Sequence, residues 1–401
     1  MTNMTFSRQI VCCLSYQSGL NFDPLIILNI PSVLRFRPQL DFPLLAAIVF
    51  LIAAGSLSVW SASGFSEPIL QRHLARAVIA IGALVILSAV PAKTLRNIAP
   101  PLFGLAVILL LAVVIAGDAT NGSKRWLALG PIRFQPSELV KVAVPMMTAW
   151  MIAKDPGVPS FSKILSCLAL TAIPAALIVV QPDLDGAIFT VIYSLFVLFL
   201  GGMSWKIIGS VIGIVATAIP ILWMFFMEEY QKMRVTQFLN PESDPLGAGY
   251  QIIQSLVAIG SGGIRGKGYM MATQGQLGFI PESHTDFIFS TFAEEWGYMG
   301  SVALIATYLF IAARTLWLAS QSDSAYSRLV IGALSLSFML YAFINMGMVS
   351  GILPVMGSPL PFISYGGTAM ITQGACFGII MALAPRRRKA GTPFSAMGHA
   401  H

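Results

Sequence analysis

Apolar runs of bilayer length alternate along this chain with short polar stretches, and one polar stretch is long. Windows near or above the roughly 20 residues that cross a hydrocarbon core fall at 43–62, 74–91, 99–117, 137–153, 165–180, 186–202, 206–227, 287–318, 327–351 and 362–384. They predict an all-α polytopic membrane protein with about ten transmembrane helices. The long polar stretch, about 228–286, becomes a loop between helices seven and eight. The fifth and sixth spans are cut at Gln181-Pro182-Asp183-Leu184-Asp185-Gly186, a break holding two acids. Residues 39–385 read as one membrane domain, followed by a basic cytoplasmic tail over 386–401. Residues 1–38 read as a disordered cytoplasmic extension. Their apolar patch, Leu25–Ile30, is short and bracketed by Pro24 and Pro31, with no small-residue cleavage site after it.

Composition sharpens this reading. The 401 residues are 56% hydrophobic and 10% charged, against about 25% charged in soluble domains. The net charge of +7 suits anionic lipid headgroups, and nucleic acid is no expected partner of so apolar a chain. The Lys and Arg distribution places both termini in the cytoplasm, anchored by Arg386-Arg387-Arg388-Lys389 after the last span. Outer bases crowd into 124–133 and 232–267. The four cysteines, Cys12, Cys13, Cys167 and Cys376, have neither metal nor disulfide spacing.

The chemistry-bearing residues sit in the polar outer segments. Gly117–Trp126 is a Gly/Asn turn cluster ending in Lys124, Arg125 and Trp126. In Gln135-Pro136-Ser137-Glu138, Ser137 is expected to cap the next helix, and Glu138 and Lys141 are spaced i, i+3 to pair on one face. The long loop carries Arg234, Phe238-Leu239-Asn240-Pro241, and the run Gly260–Gly268 with Arg265 and Lys267. That run lacks the G-x-x-x-x-G-K-[ST] spacing of a nucleotide loop. Its glycines instead let backbone amides approach an anion or permit re-entrant packing. The loop closes on Pro281-Glu282-Ser283-His284-Thr285-Asp286, with Glu294 and Glu295 further into the helix. Acids at membrane depth cost about 2.5–3.5 kcal/mol each on insertion scales, so they usually face a cavity or a partner. Finally, Leu353–Thr368 has spaced prolines and paired glycines that rule out a continuous helix; it should be irregular backbone buried against protein.

Taken in order, Asn121–Trp126, Gln135–Glu138, Gln181–Asp183, Arg234 with Phe238–Pro241, Gly260–Gly268, Pro281–Asp286 and Pro361–Gly367 resemble the SEDS family. These are bacterial membrane proteins of shape, elongation, division and sporulation. The resemblance covers about residues 40–385. Thr273–Leu277 and Met348–Pro354 look more like its elongation branch than its division branch. It implies a peptidoglycan glycosyltransferase of the inner membrane that polymerises lipid II at the outer leaflet during elongation. The implied partners are a class B penicillin-binding transpeptidase and other membrane proteins of the elongation complex. Position by position, Asp286 matches the family's essential acid and Trp126 a tryptophan linked to activity. Glu138 and Lys141 match its charged pair, and Arg72 a basic residue lining the cavity. Asp185-Gly186 departs from the family's pattern, as does the amino-terminal extension.

Inverting hexosyl transfer between lipid-linked sugars needs a base for the attacking 4-hydroxyl, worth about 10²–10⁴-fold. The diphosphate leaving group needs cations more than an acid. Asp286 is therefore the expected base, with Lys124, Arg125, Arg234, Arg265 or Lys267 near the diphosphates. The alternative for Asp286 is a helix cap. His284 is read as a hydrogen-bonding residue beside it, and Trp126 as a ring laid on sugar or lipid or set in the interface belt. No cofactor is indicated, except that Glu282 and Asp286 have oxygens for a divalent cation. The rival class is a transporter that flips lipid II without chemistry.

Overall fold

The computed structural model describes residues 38–120, 123–129, 132–155, 157–204, 248–281 and 283–385, with isolated positions between 206 and 232. The amino-terminal extension, the basic tail, Arg234 and Glu282 therefore lie outside the described residues, as does most of the expected seventh span. The long helices are α1 (Phe42–Ala62), α2 (Glu67–Ser88), α3 (Ala92–Ala116), α4 (Pro136–Ile152), α5 (Phe161–Val180) and α6 (Leu184–Leu200). They continue with α7 (Ala248–Ser261), the single turn α8 (Thr273–Gln276), α9 (Ile288–Ser320), α10 (Ala325–Val349) and α11 (Gly367–Leu383). Helices α1, α2, α3, α5, α9 and α10 are long and apolar enough to cross a membrane; α6 and α11 are shorter apolar helices.

Two helices start a full two turns before their hydropathy windows. Helix α2 begins at Glu67, not near 74, and α3 at Ala92, not near 99. Hydropathy sees only the apolar part of a helix, whereas backbone hydrogen bonding runs on through polar turns. Arg72 and Arg76 consequently lie on α2, not in a loop. The Ser137 cap is also corrected. Helix α4 starts at Pro136, which suits a first helical position because its missing N–H costs nothing there, and Gln135 holds the cap position without a side-chain bond.

The segment after α3 is a three-stranded antiparallel meander: β1 (Asp118–Thr120), β2 (Ser123–Leu129) and β3 (Ile132–Phe134). Thr120 pairs with Ser123 across a two-residue connection. Asn-Gly at such a connection is the strongest short hairpin signal, and here it was read only as a turn.

Helices α2 and α11 pack backbone to backbone through Gly374 and Gly378. A Cβ on Gly374 would strike the Ala80 carbonyl, and one on Gly378 would sit 2.7 Å from the Leu84 carbonyl. Small residues four apart allow this approach, which drives helix association where lipid offers no hydrophobic gain. Gly55 of α1 likewise lies against the Phe362–Ile363 backbone. The expected irregular stretch before α11 is thus held between helices, with Leu360 to Ser364 buried. At the opposite end, Arg314 donates to both Asp41 carboxylate oxygens, at 3.2 and 2.7 Å, while Asp41 accepts from the Leu44 amide to cap α1.

Candidate functional site

The glycine-rich run 260–268 splices a broken helix, and its Lys267 and Gly268 amides are used on that helix's carbonyls. Gly297 breaks α9 at φ 64°, a left-handed conformation that glycine adopts without a Cβ penalty. The Lys267 and Gly268 amides donate to the freed Glu294 and Glu295 carbonyls at 3.0 and 3.1 Å. In return, the Tyr298 and Met299 amides donate to the Gly263 and Ile264 carbonyls at 2.9 and 3.1 Å. Two carbonyls and two amides freed by the break thus find partners, as hydrocarbon surroundings require.

The side chains complete the splice. Glu294, fully buried, accepts from Lys267 Nζ at 2.6 Å, from the Thr273 amide and hydroxyl at 2.9 and 2.8 Å, and from the Gln274 amide. Glu295 accepts from the Met270 amide and from Ser61 of α1. The Tyr269 hydroxyl donates to the Leu57 carbonyl at 3.3 Å; burial first, and the Glu295 carboxylate second, push its pKa up and keep it a donor. The two glutamates thus fasten the loop leading to Asp286 onto α9 and α1.

Asp286 itself is half-buried, one residue outside the N-cap of α9, a position held by Phe287 without a side-chain bond. Asn345 of α10 sets its height. That amide donates to the Asp286 carbonyl and to the Ser358 carbonyl, both at 2.8 Å, tying the loop before α9 to the stretch before α11. The Asp286 carboxylate faces Gly357, lying 3.7 Å from where a Cβ would stand. The Tyr365 amide donates to the His284 carbonyl at 3.0 Å, and the two rings lie 5.7 Å apart. From α2, the Arg76 guanidinium sits 4.3 Å over the Tyr365 ring and His73 stacks on it at 6.4 Å. Trp126 on β2 is half-buried beside Gly367, at the start of α11.

Around this group, several buried polar atoms have no protein partner among the described residues: both His73 ring nitrogens, Arg76 Nη1, Asn345 Oδ1, Ser358 Oγ and Thr368 Oγ1. Leaving a buried polar atom unpaired costs about 1–3 kcal/mol, so these six atoms are candidates for a polar ligand's hydrogen bonds; Arg125, Glu138, Gln274, Thr291 and Glu295 carry such atoms as well.

The remaining expected residues fall elsewhere. Lys141 Nζ pairs with Glu138 at 2.5 Å and lies 4.5 Å over the Tyr341 ring. Lys141 and Tyr341 also line a narrow crevice whose other wall is Pro359, Ser364, Gly366 and Gln373. The charged pair therefore backs the same irregular segment that faces Asp286. Arg125 donates to the Pro182 carbonyl at 2.6 Å and lies 3.7 Å from Asp183, tying the meander to the corner between α5 and α6. At that corner Asp183 caps α6 by accepting from the Gly186 amide, and a Cβ on Gly186 would meet the Asp183 carboxylate at 2.8 Å. This close approach favours glycine at that corner. Lys124 lies on β2 opposite Ala119, with its side chain outside the described set. Arg72 and Arg265 are exposed.

Sequence reasoning passed over Arg76, His73, Tyr365 and Asn345. A signal did exist for the α2 pair: His73, Ala77, Ala80, Leu84 and Ser88 form its buried stripe, and Arg76 borders that stripe one turn above Ala80. No group of three or more His, Cys, Asp or Glu side chains is gathered for a metal among the described residues.

Known proteins share both the sequence and this fold. Residues 39–389 match the family model for FtsW, RodA and SpoVE, described as cell cycle protein. The peptidoglycan glycosyltransferase MrdB of Escherichia coli (strain K12) is 46% identical over 352 residues, covering 88% of this chain and 95% of that protein. Among solved structures, a chain from a peptidoglycan synthase complex superposes with a TM-score of 0.73 at 31% identity, covering 85% of this chain and 96% of that one. The rod shape determining protein RodA of Thermus thermophilus gives 0.65 at 27% identity, covering 85% and 95%. A helical bundle, the ordered motifs and these matches over most of the chain lead to one conclusion: the protein is a multi-pass membrane protein belonging to the SEDS family.

Proposed function

We propose that the protein is a peptidoglycan glycosyltransferase that polymerises lipid II at the outer face of the bacterial cytoplasmic membrane during cell elongation. Both termini then lie in the cytoplasm, and the end of the bundle carrying Asp286 faces outward. One observation carries the reading: Asn345 ties the Asp286 backbone to the stretch before α11, with the half-buried carboxylate beside Gly357 and with Tyr365, Arg76 and His73 on the wall that Tyr365 joins to His284.

In this reading Asp286 accepts the proton of the acceptor sugar's 4-hydroxyl as that oxygen attacks the donor's anomeric carbon. The bond from that carbon to the lipid diphosphate breaks, and the diphosphate leaves with the electron pair. A single carboxylate suffices because the leaving group is already a stable anion, unlike the paired carboxylates of a retaining glycosidase. Trp126 offers a flat apolar face to sugar or lipid at the cleft's edge, and His284 shapes the wall through its carbonyl. The bundle surface remains available to a class B penicillin-binding transpeptidase and to other elongation proteins.

Purified protein mixed with lipid II in detergent, where no membrane sides exist, should make glycan polymer. Lipid II left wholly unpolymerised under conditions that support a related polymerase would favour a flippase instead.

A further inference from the structure

Two of the five bases first expected near the diphosphates are occupied, and so is the lysine of the charged pair. Arg125 holds Pro182 and Asp183, Lys267 holds the buried Glu294, and Lys141 holds Glu138. Arg76 is differently placed. It lies nine residues into α2, about 14 Å along the axis from Glu67 at 1.5 Å per residue. At such a depth an arginine normally pairs with a carboxylate or carbonyl. Arg76 instead rests on the Tyr365 ring face, and its buried Nη1 has no hydrogen-bond partner among the described residues. Tyr365 is bonded through its amide to the His284 carbonyl, two residues before Asp286. His73, fully buried with both ring nitrogens unpartnered, lies on the same wall.

We propose that Arg76, braced on Tyr365, is the binding residue for the diphosphate of the lipid-linked substrate, beside the cleft of Asp286. This inference rests on the glycosyltransferase reading and deepens it. A planar guanidinium presents parallel donors to two phosphate oxygens. The stacked ring holds that plane in place before substrate arrives, which lowers the cost of ordering it on binding. The long arginine stem reaches from α2, whose distance from α11 is fixed by Gly374 and Gly378.

The test is binding, measured in detergent on Asp286→Asn protein so that turnover plays no part. A polyprenyl diphosphate and the matching uncharged polyprenol are the probes, and Arg76→Gln and Arg76→Lys are the variants. Charge-assisted hydrogen bonds of this kind predict that Arg76→Gln weakens diphosphate binding about tenfold or more. Polyprenol binding should stay within about twofold, and Arg76→Lys, which keeps the charge, should recover part of the loss. Unchanged diphosphate affinity in Arg76→Gln overturns the proposal. So does an equal loss for both probes, which would make Arg76 a packing residue. Polymerisation by Asp286→Asn protein would overturn the base assignment alone, leaving the binding comparison intact.

Discussion

Asp286 illustrates what a single residue's neighbours decide. From the sequence it was either a base or a helix cap, and spacing alone did not separate the two. In the structure Phe287 holds the cap position of α9, while the Asp286 carboxylate lies beside Gly357. Gly357 matters because a side chain there would crowd that carboxylate; Gly357→Val should cut polymerisation several-fold while lipid II binding changes less. Trp126 tests the cleft's other edge. Trp126→Ala should raise the KM for lipid II by about tenfold, in line with about 1–3 kcal/mol for a stacking aromatic, whereas an interface-belt role would leave KM unchanged. The meeting of Arg76 and Tyr365 was illegible, because nothing in a linear sequence says that an arginine of the second helix touches a tyrosine some 290 residues later.

At the scale of elements, the glycine-rich run and the acids of α9 form one device. The sequence suggested close packing for the glycines and internal partners for Glu294 and Glu295, and both are present. It did not show that α9 is broken at Gly297 and that the partner lysine comes from the glycine run itself. Hydropathy cannot see such a break, since one glycine hardly changes a window of twenty residues. Lys267→Met leaves Glu294 buried with a charge no longer balanced, and should destabilise the protein by about 3 kcal/mol. Adding Glu294→Gln should recover part of that loss, because the paired change removes both charges. Melting temperatures of the single and double variants in detergent check this; strictly additive losses would deny the coupling. The meander was missed for a related reason. Asn-Gly was legible as a turn, but its short flanking strands carry no strong alternation.

Across the whole molecule, the helical membrane architecture and the order of the described helices were legible because a bilayer imposes length and apolarity on every crossing helix. Their mutual packing was not, since it depends on small residues that hydropathy scores poorly. The α2–α11 contact is the clearest case: Gly374 and Gly378 let two backbones touch, and so place Arg76 beside Tyr365. Gly374→Val should force the helices apart and cost about 1–3 kcal/mol or more. Activity should fall more steeply than stability, because the displaced helix carries a wall of the cleft. Gly82→Val, with open space around its Cβ, is the control and should leave both unchanged.

We propose proton transfer from the acceptor sugar to the Asp286 carboxylate. Its most direct test compares wild-type and Asp286→Asn protein, purified in detergent, for glycan polymer made from lipid II alongside lipid II bound. The account predicts binding within about threefold of wild type and polymerisation lower by the 10²–10⁴-fold typical of a lost general base. Polymer formed by Asp286→Asn at the wild-type rate would contradict it.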